Sequence, residues 1–341
     1  MILGIALFII AAWAVFPNLL GLFANGCAFY WGAWPAALRC SRLMAFVSRN
    51  AAYQSWAILV QLTAYKGLGQ TDVAVQLAHA LVAHAPSVLT LGTANTLADT
   101  LINAGRYSEA LAIEDGWSTD ELKTAAGLQR AHHALLQINL AEALYNMGRW
   151  RDAWERLAHL DETAALSGIS RDGLALQRAW ILAHDGSGEE AWKLARCIRR
   201  GAIPRPYWSE IFYTRGMALL GLNRVEEARC EVNNGLKIAK RASSQRNGIF
   251  LLGKLAAHQG RYEEAARWLE EGARHPYRAQ GGDGLLLWGD VLHRLRRGPD
   301  AVNAWRMAKE RDPESESARL ADERLRAAAS AGRPSLTLMR A

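Results

Sequence analysis

Nine histidines and four cysteines are the side chains of this 341-residue chain best suited to hold a metal or to attack a carbonyl. Their spacing favours neither. No HExxH occurs, no Cys/His cluster has zinc-ligand spacing, and Cys27, Cys40, Cys197 and Cys230 form no CxxC pair. His132 and His133 are adjacent, so on a helix they diverge by about 100° and are poorly placed to share an ion. Lys254 with His258, and Asp290 with His293 and Arg294, stand three or four residues apart, which puts each set on one helix face. Surface pairing of a few tenths of a kcal/mol is the ordinary outcome of such spacing. Gly186-Ser187-Gly188 lacks the Lys-Ser/Thr of a phosphate loop, and no GxSxG elbow is present. The pattern predicts a protein that is not an enzyme and needs no metal or cofactor.

What would position these residues is a phrase that recurs beyond residue 50. It reads AGRYSEAL at Ala104–Leu111, MGRWRDAW at Met147–Trp154, DGSGEEAW at Asp185–Trp192, LNRVEEAR at Leu222–Arg229 and QGRYEEAARWL at Gln259–Leu269. Weaker copies are LGQTDVAVQL at Leu68–Leu77 and RRGPDAVNAW at Arg296–Trp305. Aligned on their alanine, the copies give Ala74, Ala110, Ala153, Ala191, Ala228, Ala265 and Ala301, at steps of 36, 43, 38, 37, 37 and 36 residues. A period of this length means stacked helix pairs that share a continuous core. Twelve residues before the alanine stand Ala98, Ala141, Ala179, Gly216, Gly253 and Gly289, small enough for two helices to approach closely. Pro86 and Pro313, twelve residues after Ala74 and Ala301, end second helices. The 43-residue step places extra length near Ser118 and Glu121, which have the spacing of a capping box. Trp154, Trp192, Trp268 and Trp305 fall inside second helices and read as large core fillers.

Seven such units in register resemble the tetratricopeptide repeat (TPR) over roughly residues 51–313. The resemblance implies an all-α, TPR-type helical-hairpin solenoid of about seven units that binds a peptide or helix of a protein partner along its concave groove. Carried onto this chain, the family's groove positions include Asn95, Asp99, Asn139, Glu142, Tyr145, Trp180, Tyr213, Lys254, His258, Asp290, His293 and Arg294. Asn95 and Asn139 suggest a ladder able to hold a peptide backbone. The paired Lys and Asn with which some TPR domains clamp a terminal carboxylate are not reproduced. Residues 314–329, alternating charge with Leu and Ala, read as a solvated capping helix, and 330–341 as a flexible tail.

Before the repeats the chemistry is different. Residues 1–38 contain no Asp, Glu, Lys, Arg or His, which predicts a membrane anchor. One Pro-kinked span over about residues 2–24, a tight hairpin turning at Pro17-Asn18 and a cleaved signal peptide are the competing forms. Tyr30, Trp31 and Trp34 suit the membrane interface, and Arg39 and Arg42 open a basic juxtamembrane segment over 39–50. No basic residue precedes the apolar run, so the solenoid is expected on the cytoplasmic side of a bacterial inner membrane. The signal-peptide form would place it in the periplasm instead. The leading expectation is a membrane-anchored TPR adaptor in envelope assembly, secretion or quality control. The alternative is an accessory subunit whose N-terminal small residues, Gly21, Ala24, Gly26, Ala28 and Gly32, pack against other membrane subunits. A net charge of +7 is spread thinly among acids, which gives no stripe for nucleic acid.

Overall fold

The computed structural model describes residues 16–48, 50–84, 91–114, 128–158, 160, 168–277 and 281–331. After a leading helix α1 (Trp34–Val47), the described chain forms seven helical hairpins. They are α2 (Ala51–Gly67) with α3 (Thr71–His84), α4 (Leu91–Asn103) with α5 (Tyr107–Ala112), and α6 (Leu128–Asn146) with α7 (Trp150–Ala158). Then come α8 (Gly168–His184) with α9 (Gly188–Cys197), and α10 (Trp208–Gly221) with α11 (Val225–Ile238). The last two pair α12 (Ala242–His258) with α13 (Tyr262–Arg274), and α14 (Gly282–Arg294) with α15 (Gly298–Arg311); α16 (Glu316–Ala331) closes the array.

One turn serves all seven hairpins. Five residues before each repeat alanine the backbone is left-handed, at Gly69, Gly105, Gly148, Gly186, Asn223, Gly260 and Arg296, with φ between 58° and 89°. The next N–H reaches back six residues in the ring it closes, as Arg106 to Leu101 O and Arg224 to Leu219 O, both at 2.9 Å. This bond satisfies a carbonyl that the ending helix leaves orphaned. The alanine that follows is fully buried in every unit, from Ala74 to Ala301. A methyl placed on Gly216 would lie 2.8 Å from Val232, and one on Gly253 2.6 Å from Leu269. The small residue therefore sets how closely the helices of one hairpin approach. Leu62 takes that place in the first unit and is itself buried.

The seven units coil far enough for the ends to meet. Tyr107 Oη donates to Asp312 Oδ2 at 3.3 Å, and Ser108 N–H donates to Glu314 Oε2 at 2.7 Å. Trp34 Nε1 donates to Lys240 O at 3.2 Å, and Tyr277 Oη to Asn103 O at 2.9 Å. With Gly69 lying against Ala242 and Tyr277 and Gly148 against Glu316, the first three hairpins rest on the links around the sixth hairpin, the end of the seventh and the cap, so the solenoid winds back onto itself as a ring rather than an open cradle.

The N-terminal segment departs from expectation. Residues 1–15 lie outside the described residues, and with them most of the expected span. Pro17 and Asn18 are helical, in the first described turn of a helix that runs to residue 25, and the first arm of the expected hairpin lies outside the described residues. The helix ends in a π-turn (Gly26–Trp31) and leads through Gly32 into α1. Among the described residues no helix is long and apolar enough to cross a membrane. Ala24, Cys27, Ala28, Trp34, Ala37 and Leu38 instead share a core with Val60, Leu62, Ala64 and Ala74 of the first hairpin, and Gly21 lies against Trp56. Small residues assigned to packing on other subunits are therefore used within this chain. The expected boundary between residues 38 and 39 falls inside α1, because Leu38, Ser41 and Met44 continue one buried face. Trp34 is buried, not interfacial. Trp31, Arg39 and Arg42 are exposed, and the side chain of Tyr30 lies outside the described residues. Of the tryptophans read as core fillers, Trp305 is buried but Trp154 is 38% exposed. The cap begins at Glu316 rather than 314; Pro86, Ser118, Glu121 and residues 332–341 lie outside the description.

Candidate functional site

First helices of the hairpins form the inner row of the ring, and charged side chains collect where the ring closes. Lys66, at the end of α2, is buried and pairs with Asp99 on α4. Asn103 Nδ2, one turn on, donates to Asp99 Oδ1 at 2.7 Å. Arg241, in the link between α11 and α12, donates to Asn103 Oδ1 at 3.0 Å and stacks 4.4 Å from the Tyr207 ring. Ser244 donates to Glu210 on α10, and Gln177 Nε2 on α8 donates to Glu142 Oε2 on α6 at 3.0 Å. Next to these, His184 lies 4.8 Å from the Trp180 ring and 5.3 Å from that of Tyr145. Arg246, on α12, is buried between the rings of Tyr277 and Phe250.

Burial and mutual charge tune these groups in opposite directions. Burial raises the Asp99 carboxyl, yet Lys66 and Arg241 beside it outweigh that and hold it below the usual range. Glu142 has no such cation bonded to it; burial, with Asp99 nearby, pushes it up to about 7. Burial also raises Glu210, and raises Asp312 to about 7. Desolvation opposes the charge on Arg241, but Tyr207, Asp99 and Glu210 keep it firmly protonated. His184 is pushed well down by burial and by Lys254, and burial lowers Lys254 itself. His184 Nε2 and Tyr213 Oη are buried without a hydrogen-bond partner. Lys254 meets no carboxylate at bonding distance among the described residues. Among those residues, no group of three or more His, Cys, Asp and Glu is placed to hold a metal. The arrangement offers fixed charge, hydrogen-bonding groups and aromatic faces.

Of the twelve groove residues expected from the sequence, the structure brings Asp99, Glu142, Tyr145, Trp180 and Lys254 into this interior. Tyr213 is there too, but fully buried. Asn139 Nδ2 donates to Asn95 Oδ1 at 2.8 Å, so these two join neighbouring hairpins to each other. The remaining four lie elsewhere. His258 and Asn223 meet at 3.1 Å on the exposed surface; Asp290 accepts from Trp305 Nε1 at 3.1 Å and pairs with Arg324 at 3.3 Å. His293 and Arg294 are exposed at the end of α14, where the helix face has rotated outward. Missed by the sequence reading were Lys66, His184, Glu210, Arg241, Arg246 and Asp312. Glu210 and Arg246 had a signal, being charges within apolar first helices. Arg241 had none, since it lies in a link.

No protein-family model matches the sequence, and no curated protein matches it. Solved structures do match. A chain of the APC/C hetero-tetramer Cut9-Hcn1 aligns with a TM-score of 0.52 at 13% identity, over 86% of this chain and 52% of that one. The present chain thus spans about half the length of that relative. A Rap protein complexed with Competence and Sporulation Factor aligns with a TM-score of 0.53 at 13% identity, over 94% and 98% of the two chains. Identities this low speak to the fold, which agrees with the seven hairpins and their common turn: the chain has the fold of a tetratricopeptide-repeat solenoid.

Proposed function

We propose that the chain is a non-enzymatic scaffold that receives a segment of a protein partner in its charged interior. The observation that carries this is Lys254, which meets no carboxylate at bonding distance among the described residues and bears on His184, the imidazole packed against the Tyr145 and Trp180 rings. Folding alone leaves such a group unpaired at a cost, and an acidic, apolar segment would complete it. Rap with Competence and Sporulation Factor, and Cut9 with Hcn1, are complexes built on the same fold. A photo-crosslinking amino acid at Trp180, compared with one at the outward Trp154, tests the reading in cells. Crosslinks to another polypeptide from position 180, lost on Lys254→Glu, are expected; crosslinks from position 154 alone would sink it.

The scaffold is further proposed to sit at a bacterial inner membrane, solenoid on the cytoplasmic side, in envelope assembly, secretion or quality control. Support comes from the uncharged residues 1–38 and from the first acidic residue arriving only at Asp72. A phosphatase active only outside the cytoplasm, fused to Ala341, would remain silent in membrane-pelleted cells. Strong activity would move the solenoid to the periplasm.

A further inference from the structure

We infer that residues 16–47 lie in the plane of an anionic bilayer surface instead of crossing it. The inference rests on the membrane attachment proposed above and specifies its geometry. In the helix over 16–25, Pro17, Gly21 and Ala24 face the first hairpin. The opposite side carries Phe16, Leu19, Leu22 and Phe23, which are 45, 58, 62 and 52% exposed, with the exposed Asn18 at its edge. A helix bathed in water would place mainly polar residues on that side, whereas four of its five exposed residues here are large and apolar. Trp31, also half exposed, touches Phe23 edge-on at 5.8 Å and extends the apolar surface. On α1 the exposed residues are Arg39, Leu43, Phe46, the last 87% exposed, and Arg42, whose guanidinium also donates to Tyr65 Oη at 2.5 Å. Arginines among apolar residues are suited to the headgroup boundary, where stems lie along lipid and guanidiniums reach phosphate.

Two other occupants fit less well. A second copy docked by two-fold symmetry would set this surface against itself. Residues 1–71 contain no acid, so Arg39 and Arg42 would face only arginines, and like charges oppose such contacts. Crossing the bilayer is opposed by the shared core: the inner face cannot leave Trp56 and Val60 without opening the first hairpin.

The full chain would be reconstituted with vesicles of phosphatidylcholine, alone or with 30% phosphatidylglycerol, carrying one nitroxide label at Phe16, Leu19 or Phe23. Depth is read from collision with oxygen and with a water-soluble nickel chelate. An in-plane helix gives similar, shallow depths at all three sites, and binding that depends on phosphatidylglycerol. Arg39→Glu with Arg42→Glu, shown folded by circular dichroism, should weaken that binding by about tenfold. Depth changing steadily, by about 10 Å from residue 16 to 23, would overturn the in-plane geometry and leave attachment standing. A chain that binds neither vesicle would overturn both. Twice the chain mass without lipid, with dipolar coupling between labels, would give the surface to a second copy and overturn the proposal.

Discussion

At the hairpin turns, Arg106, Arg149, Arg261 and Arg297 each pair with the acid three residues on: Glu109, Asp152, Glu264 and Asp300, at 2.5–2.9 Å. Inside the ring, Lys66, Arg241 and Arg246 meet Asp99, Asn103, Tyr277 and the charge of Asp312. The turn pairs are made by neighbours in sequence and lie in water, so they are screened and add little. The interior groups come from different parts of the array, and Lys66, Asn103, Arg241 and Arg246 among them are buried. They can therefore be costly to disturb, and they tie the two ends of the array together. The same residue types mark the repeat on one surface and close the ring on the other.

The sharpest way to break this comparison is Arg241→Ala. The substitution leaves Asn103 Oδ1 without its donor and removes the charge facing Asp99 and Glu210. Truncating one partner of a buried charged set costs about 3–5 kcal/mol, read as a lower urea midpoint. Because the ring would open, the unfolding slope should also change, a sign of altered native compactness. A midpoint unchanged within error would mean that closure does not depend on the interior charges.

Next in size is the pH dependence of Glu142. Its carboxyl titrates near 7 in the folded chain against an ordinary 4.5. Between those values the folded chain holds the extra proton, so this group's contribution to stability falls as pH rises from 4.5 through 7 and stays lost above. Glu142→Gln can still accept from Gln177 but has no charge to bury. The variant should match the parent near pH 4.5 and exceed it by about 1–3 kcal/mol at pH 8. His184 slopes the other way below its ordinary value of 6.5, because only the unfolded chain takes up that proton. That slope is common to both proteins and cancels in their difference. Equal curves for the two would remove Glu142 from the interior network.

The repeat alanines and turn residues were legible in the sequence because each is a local requirement. A buried Ala five places after a left-handed residue leaves a mark in every unit. Ring closure was not legible. It sums small rotations over seven hairpins, and nothing near Asn103 announces Arg241, 138 residues away. The same gap explains His258, Asp290, His293 and Arg294, which were placed in the groove by their position along first helices. At the last turn of α12 and α14 that face looks outward. Apolar composition likewise marked the N-terminus as unusual, but could not show that Gly21, Ala24, Ala28 and Trp34 pack on the first hairpin.

Smaller effects test the turn itself. Arg296 holds φ at 60° where five of the other six units have glycine, a conformation that strains a side chain with a Cβ. Arg296→Gly should therefore stabilise the chain by about 0.5–1 kcal/mol, less whatever entropy the unfolded glycine gains. Asn223, the other exception, tolerates this region better, so Asn223→Gly should gain less.

The smallest effect belongs to the outer pairs. Arg297 and Asp300 are about half exposed and 2.9 Å apart. Arg297→Ala keeps the backbone bond to Leu292 O that shapes the turn, and removes only a screened pair worth about 0–0.5 kcal/mol. That small loss should also vanish at 1 M salt, where the Debye length is about 3 Å, whereas the loss from Arg241→Ala should largely persist because Arg241 and Asn103 are buried. Measuring both variants at low and high salt makes the comparison quantitative. A salt-resistant loss above about 1 kcal/mol for Arg297→Ala would show that the turn pairs carry structure as the interior does, and the division between the two surfaces would fail.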